Sequence, residues 1–394
     1  PLIVAGSNSI PKTFEMVLQK EFDVVVVGAG TAGCLCARDL AREGVSVAVI
    51  EEDSEPGKQG RCTAIFSKQG LDCLQVDYYK TALLNQVRAA RVHAKKNQFS
   101  VRIPDTVAVV LDRFKFDKQC AKEAIDAGAK IFYNSKATLL QKAGKNFMTT
   151  VANPRTKKTT TIFESKFLVG ADGLASVVAS QLAFPDIPPK DFILCREAEY
   201  SPAFVKNPDT VDLYLDVELF RGFFGWIVPT SRNSLRLGFG VQNHALLDWT
   251  RTKFIQTNKD VEYSLAHGRA IKKREYVALI PLRVRKKTQR GNAILIGDAA
   301  GQVKATTGGG VVIGGLCARL AARRIKHSIH TGEELDYEKQ WRKKYSNTLR
   351  LHRFIRNFLN VLDDATLDFL FGVAVFLGLP RFLEQHGDMD FVIR

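Results

Sequence analysis

An α/β fold, built on a parallel sheet and interrupted by an antiparallel one, is what three observations in this sequence predict. The first is Asp23-Val24-Val25-Val26-Val27-Gly28-Ala29-Gly30-Thr31-Ala32-Gly33, an apolar run that ends in a glycine-rich turn. The second is Leu168-Val169-Gly170-Ala171-Asp172-Gly173. The third is Gly297-Asp298-Ala299-Ala300-Gly301, followed by Thr307-Gly308-Gly309-Gly310. Each brings an apolar strand to glycine beside a small or acidic residue, so that backbone can approach a phosphate or a ribityl chain. Three such turns predict one large cofactor lying across a single sheet.

The elements follow in order. Phe22 to Val27 predicts a buried strand, Gly33 to Glu43 a helix with Ala32, Leu35, Ala37, Leu40 and Ala41 inward, and Val45 to Ile50 a second parallel strand. Arg113 to Asp117 leads into a helix over Lys118 to Ala127, closed by Gly128, and Lys130 to Tyr133 begins a strand. Residues 137–169 alternate as a hairpin meander turning at Asn153-Pro154-Arg155. Alternating runs at Ile193–Tyr200, Val211–Leu219, Phe223–Val228 and Leu235–Val241 predict an inserted antiparallel sheet. A small-residue helix spans Gly309 to Arg324, and the rest is helical, with Trp341, Tyr345, Thr348, His352, Ile355 and Phe358 on one face.

Composition bounds the function. The chain has 394 residues, 45% hydrophobic and 25% charged, ordinary for a globular protein of two domains. The balance of 57 basic against 41 acidic residues, net +16, is not ordinary. A basic solvated surface accounts for it, and so does an anionic partner such as a lipid surface or an acidic electron carrier. The basic residues are dispersed without a nucleic-acid-binding pattern, so nucleic acid is excluded. Seven cysteines at irregular spacing form neither a disulfide framework nor a metal-ligand set, which predicts a reducing cytoplasmic setting and no metal. Cys34 and Cys36 are expected to pack in the first helix, and His327 and His330 to sit at a solvated helix end. No secretory signal opens the sequence; residues 1–20 read as an extension, with Met16 an alternative start. The longest uncharged apolar stretch, Phe369 to Pro380, is too short to span a bilayer.

In Gly28-x-Gly30-x-x-Gly33, Gly28 permits the turn, Gly30 admits a pyrophosphate and Gly33 allows helix–strand packing, the fingerprint of a Rossmann-type dinucleotide site. Glu51 ends the second strand, where a carboxylate accepts from the ribose hydroxyls of an adenosine; Glu52 follows it. The later turns choose FAD over NAD, because a ribityl chain and a flavin ring need a second contact far along the chain. Asp298 is placed for the ribityl chain or to cap the next helix, and backbone from Gly301 through Gly308, Gly309 and Gly310 to Val311 lines the flavin.

These motifs resemble the flavoprotein group that includes p-hydroxybenzoate hydroxylase. Within it, Gly297 to Lys304 with Thr307 to Gly310 resembles the archaeal geranylgeranyl reductase family, over roughly residues 22–390. Phe223-Phe224-Gly225-Trp226-Ile227-Val228-Pro229 resembles that family's substrate segment, Arg61-Cys62-Thr63-Ala64 its cysteine loop, Arg113 its flavin-contacting arginine and Gly387-Asp388-Met389-Asp390 its ending. Three positions depart: Ala305 stands for proline, Ala64 for glycine and Ala179 for arginine. The first two alter loop geometry at the flavin.

The resemblance implies an FAD-dependent reductase that saturates C=C bonds of geranylgeranyl chains in archaeal membrane lipid precursors. Hydride from flavin N5 and a proton are added, since an isolated alkene accepts hydride only where positive charge develops. Cys62 is the candidate proton donor or flavin-side group; Trp226, Phe223, Phe224 and Pro229 are candidates for the wall of a lipid pocket. Residues 22–74, 110–189 and 285–330 then form a discontinuous FAD-binding domain, 75–109 and 190–284 a substrate domain, and 331–394 a helical region, after an extension over 1–21. A polyprenyl lipid is the expected substrate, a ferredoxin-like protein or NAD(P)H the reductant, and an anionic membrane face the surface the basic C-terminal helix lies on. An aromatic monooxygenase and a membrane-associated electron-transfer flavoprotein are the alternatives on this scaffold.

Overall fold

The computed structural model describes residues 18–390 apart from Gln59, Arg61 and Gly268, together with the backbone of Val392 and Ile393. Arg61 and the extension up to residue 17 therefore lie outside the described residues. Strand β1 (Leu18–Val27) begins before Phe22, and its end, Val24 to Val27, is buried. Helix α1 (Thr31–Ala41) follows the glycine turn, and β2 (Val47–Ile50) returns parallel to β1 with Val27 opposite Ile50. Cys34 and Cys36 are buried in α1, as packing residues.

Next come β3 (Ile65–Ser67), α2 (Lys68–Leu74), β4 (Leu83–Val87), β5 (Ala89–His93), β6 (Gln98–Arg102) and β7 (Ala108–Leu111). Strands β3, β7 and β4 make a small sheet, while β5 and β6 leave it for a larger one. Helix α3 (Arg113–Asp126) starts at Arg113, not at Lys118. The reason is Asp112, whose Oδ1 accepts the Lys115 N–H at 3.1 Å and caps the helix. Strand β8 (Lys130–Phe132) pairs with β2. The meander β9 (Lys136–Ala143), β10 (Asn146–Ala152) and β11 (Thr159–Gly170) then lays β11 parallel to β1, with Gly170 opposite Val27. Short α4 (Val177–Gln181) follows, burying Ala179 in the sheet's second core.

The larger sheet is built from β12 (Phe192–Tyr200), β13 (Thr210–Tyr214), β14 (Gly225–Ser231), β15 (Ser234–Val241) and, after α5 (Leu247–Thr257) and α6 (Lys259–His267), β16 (Lys272–Pro281). Its order is β16-β12-β15-β14-β13-β5-β6. The chain rejoins the first sheet through β17 (Gln289–Arg290) and β18 (Ala293–Leu295), β18 lying parallel to β11. The path β17-β18-β11-β1-β2-β8 puts the three motif-bearing strands side by side. Strand order reverses at β1, which makes its carboxyl edge the crevice where such sheets bind ligands.

Helix α7 (Val311–Thr331) packs on α1, and α8 (Tyr337–Asn360), α9 (Asp364–Phe376) and α10 (Leu379–His386) complete the chain's helical end. The buried face of α8 is Tyr337, Trp341, Tyr345, Leu349, His352 and Arg356. It is rotated from the expected one: Phe358 is 49% exposed, whereas Arg356 is turned inward. Among the described residues no single helix is long and apolar enough to cross a membrane.

Candidate FAD site

The three turns meet because their glycines remove the side chains that would separate them. Gly28 has φ +102°, and a Cβ there would lie 2.4 Å from the Ala171 carbonyl oxygen. A Cβ on Gly33 would lie 2.0 Å from the Gly28 carbonyl. Gly30 differs, for its missing side chain would point into open space. It precedes α1 with no side-chain cap, so the first-turn N–H groups of Thr31, Ala32 and Gly33 and the positive end of the helix face that space.

Glu51 stands at the same edge. Its Oε2 accepts the Ala29 N–H at 2.7 Å and its Oε1 the Asp53 N–H at 2.9 Å. Burial raises its carboxyl above the ordinary range, and the two backbone bonds oppose that rise. Glu52 does not belong here: it turns away and pairs with Lys136 at 2.8 Å in solvent. Asp172 stands in the turn after β11. Its Oδ2 accepts the Val178 N–H at 3.2 Å, at the start of α4, so half of the carboxylate serves a helix. The buried Oδ1 has no partner and is the acceptor left over. Ala171 and Gly173 (φ +70°) supply the turn itself.

Gly297 to Ala300 form a short 3-10 turn after β18. Asp298 does not cap the next helix, because α7 starts beyond Gly310 with no side-chain cap. Its side chain is reached by solvent yet surrounded by protein, the position of a carboxylate lining a recess. That burial raises its carboxyl, and Arg113 pulls it back. A Cβ on Gly310 would lie 2.9 Å from Asp298 Oδ1, and one on Gly297 would lie 3.1 Å from Ala32 Cβ. The bare N-termini of α1 and α7, at Thr31 and Val311, thus converge on Gly297-Asp298. Gly301 (φ +72°) and Gly308 (φ +71°) are turn glycines pressed on Arg283 and on Ile280, and Gly309 lies over Lys304.

Arg113 closes the site from α3. Its Nε donates to Asp117 at 2.9 Å and its Nη2 to Thr31 Oγ1 at 3.2 Å. Burial disfavours the charge, but Asp117 first and Cys62 second hold the guanidinium protonated above its usual value. Cys62, half-buried, accepts the Ala64 N–H at 3.3 Å, and its proximity favours the charge on Arg113. Ala64 has φ +51°, a left-handed conformation costing an L-residue roughly 1–2 kcal/mol, which glycine would not incur.

The aromatic segment abuts this loop. A Cβ on Gly308 would sit 3.4 Å from Phe223. Phe223 and Phe224 stack at 4.4 Å, and Trp226 lies 5.5 Å from Phe224. Phe223 and Trp226 are buried; Phe224 is the partly exposed member. Pro229 is not part of this wall: three residues on from Trp226 in β14, it faces the opposite side of the sheet, as Ile227 does. Sequence reasoning also missed the groups behind the wall. Arg356 lies 4.6 Å from the Phe223 ring and donates to the carbonyls of Ala305 at 3.1 Å, Gly222 at 3.2 Å and Thr306. Burial lowers its pKa to about 10. Glu197, buried under Trp226, is the other.

The bare α1 N-terminus for a pyrophosphate, that of α7 beside the flavin-lining loop, a carboxylate at Glu51 placed to accept from a ribose, an acid in a recess at Asp298 and a glycine cradle without Cβ atoms fit FAD. Fold and site together define an FAD-dependent oxidoreductase. The chain belongs to the FAD binding domain family, whose match covers residues 21–314. It is 28% identical over 327 residues to digeranylgeranylglycerophospholipid reductase 1 of Methanosphaera stadtmanae, covering 80% of this chain and 79% of that protein. The digeranylgeranylglycerophospholipid reductase of Methanosarcina acetivorans is 26% identical over 364 residues, covering 89% and 87%. A crystal structure of a geranylgeranyl bacteriochlorophyll reductase-like protein from Thermoplasma acidophilum superposes with a TM-score of 0.83 at 22% identity, covering 95% of this chain and 94% of that one.

Proposed function

We propose that this FAD-dependent oxidoreductase saturates the isolated double bonds of geranylgeranyl chains in archaeal membrane lipid precursors. The observation that carries the reading is the contact of the Gly301–Gly310 loop with the Phe223–Trp226 wall, which sets an apolar surface against the flavin side of the cofactor site. The reductase names of the archaeal relatives support it. Reduced FAD, when bound, supplies the hydride. The chain supplies the rest: Glu51, Asp298 and the two helix ends hold the cofactor, the aromatic wall keeps water away, and Cys62 Sγ holds the proton for the neighbouring carbon. Each double bond gains two hydrogens.

The substrate is embedded in a membrane, and the chain's helical end suits that surface. Phe354, Phe358 and Val361 on or after α8, and Phe369, Phe376, Leu377 and Phe382 on or between α9 and α10, are exposed, with Arg350 and Arg381 exposed among them. Such an apolar face with basic neighbours fits peripheral docking on the anionic cytoplasmic face of a membrane. The net charge of +16 fits an acidic ferredoxin-like reductant, with NAD(P)H the alternative donor.

The test is anaerobic: the flavin is reduced with dithionite, a geranylgeranyl lipid is added, and reoxidation is followed by absorbance and product mass. Reoxidation with a gain of two hydrogens per double bond is expected. Flavin that stays reduced with the lipid unchanged defeats the reading; oxygen-dependent hydroxylation of an aromatic compound instead favours a monooxygenase.

A further inference from the structure

Four residues form one row across the larger sheet. Strand registers place Tyr276 of β16 opposite Glu197 of β12, Glu197 opposite Gly238 of β15, and Gly238 opposite Trp226 of β14. Gly238 is the gap in the row. A Cβ there would lie 2.4 Å from Trp226 Cε2 and 2.6 Å from Nε1, so the indole lies flat across the glycine. Only by crossing that gap does Nε1 reach Glu197 Oε2, at 2.8 Å.

Glu197 is 2% exposed. Its Oε1 accepts the Tyr276 hydroxyl at 2.6 Å, and its Oε2 accepts the Thr63 hydroxyl besides the indole. Thr63 is the middle of Cys62-Thr63-Ala64 and is gripped a second time. Arg236, buried on β15, donates to the Thr63 carbonyl at 2.6 Å and to that of Leu111 at 3.1 Å. The loop that presents the sulfur is therefore tied to the sheet that carries the aromatic wall through one carboxylate and one guanidinium. A buried carboxylate is a poor way to gain stability, since an apolar residue of similar size does as well or better. What it does that an apolar residue does not is hold three donors from three separate segments at fixed positions.

We propose that Glu197 is a positioning residue, fixing Thr63, and through it the Cys62 sulfur, against Trp226 and Tyr276 so that the flavin-side loop and the lipid-side wall keep one spacing. Its kinetic consequence rests on the reductase reading; its structural consequence does not.

Both are read in E197L, which removes the acceptor of all three donors, and in T63V, which cuts the loop's tie to that carboxylate without touching the sheet. In the protein without flavin, Cys62 alkylation by N-ethylmaleimide is followed by peptide mass mapping, with exposed Cys73 as the internal reference. Labelling of Cys62 is expected to rise at least about tenfold in either variant and no further in the double variant, because both cut one contact. In the FAD-loaded enzyme the rate of flavin reoxidation at saturating lipid falls at least about tenfold, while FAD affinity and KM change less than about threefold, the pattern of an interaction realised only in the transition state. Cys62 labelling within twofold of wild type in both variants overturns the proposal. So does faster labelling with an unchanged saturating rate in a wild type that turns over. If wild-type flavin is not reoxidised by the lipid, the reductase reading fails by itself and the labelling still decides the positioning.

Discussion

Lys304 and Asp390 form an ion pair whose removal tests how the flavin loop is held. Nζ lies 2.6 Å from Asp390 Oδ1 and 2.8 Å from the Met389 carbonyl, and the side chains are 4% and 2% exposed. Asp390 Oδ2 has no partner and abuts Gly70, so the lysine is the carboxylate's main compensation. Breaking a buried pair from one side costs about 3–5 kcal/mol, while replacing both partners by apolar groups is often neutral. One route lowers that cost. A local opening of the segment from Gly387 returns both charges to water, which caps the loss at the free energy of that opening. We therefore expect K304M and D390L each to lower the unfolding free energy by about 2–3 kcal/mol, and K304M/D390L to recover to within about 1 kcal/mol of wild type. Urea titration followed by far-UV circular dichroism measures the change, and proteolysis near Gly387 reports detachment. Single losses below about 1 kcal/mol without detachment, or a double loss equal to the sum of the singles, would refute the reasoning.

Three further outcomes are expected. G28A strains a φ of +102° and drives a methyl into the Ala171 carbonyl, so the flavin-free protein should lose about 1–3 kcal/mol in thermal or urea unfolding; G30A, with its methyl in open space, should keep that stability yet lose FAD on gel filtration, and full FAD retention in G30A would show the pyrophosphate lies elsewhere. His352 donates from Nε2 to the Asp390 carbonyl at 3.0 Å and so accepts the Thr306 hydroxyl at Nδ1, at 2.6 Å. Burial first, and the Lys304 charge, lower its pKa against the opposing Asp390; stability should therefore fall as pH drops below the ordinary imidazole value of about 6.5, a slope that H352N should lack in urea midpoints at pH 7.5 and 5.5. R356K keeps the charge but cannot span three carbonyls on two segments, and should cost about 2 kcal/mol by urea titration, with flavin fluorescence showing release before global unfolding.

Where backbone geometry alone dictates residue type, the sequence was transparent. The β1–α1–β2 unit and the turns at Gly28, Gly173 and Gly297 were legible because all three glycines hold positive φ and Gly28 lies against the Ala171 carbonyl. Asp172 and Asp298 lie in the turns after β11 and β18; the cap weighed for Asp298 fails because a cap is decided by where a helix starts, and α7 starts well beyond it. Arg113 looked like a lead-in because Phe114 and Phe116 mimic strand alternation; the signal for a helix was Asp112. Arg356 fell outside the apolar face expected for α8, because an arginine buried against carbonyls leaves no acidic partner to find in the sequence. Glu197 had one local signal, its parity with Ile193 and Cys195 on the inward face of β12, but its three partners come from distant segments and are invisible without the sheet register.

Arg356, His352 and Asp390 share one task. The Gly301–Gly310 loop needs glycines to approach a flavin, and the same glycines leave it without regular structure to hold its shape. Rigidity must then come from outside. Helix α8 supplies it through Arg356 on the carbonyls of Ala305 and Thr306 and through His352 on the Thr306 hydroxyl, while the chain end supplies Asp390 to Lys304. Ala305 stands where the resembling family has proline, a residue that would stiffen the loop by fixing φ. Here its carbonyl is fixed by a guanidinium instead. The helical end thus stabilises the loop electrostatically on its inner face while presenting phenylalanines on its outer one, so anything that docks on that outer face pushes on the helix that holds the flavin loop.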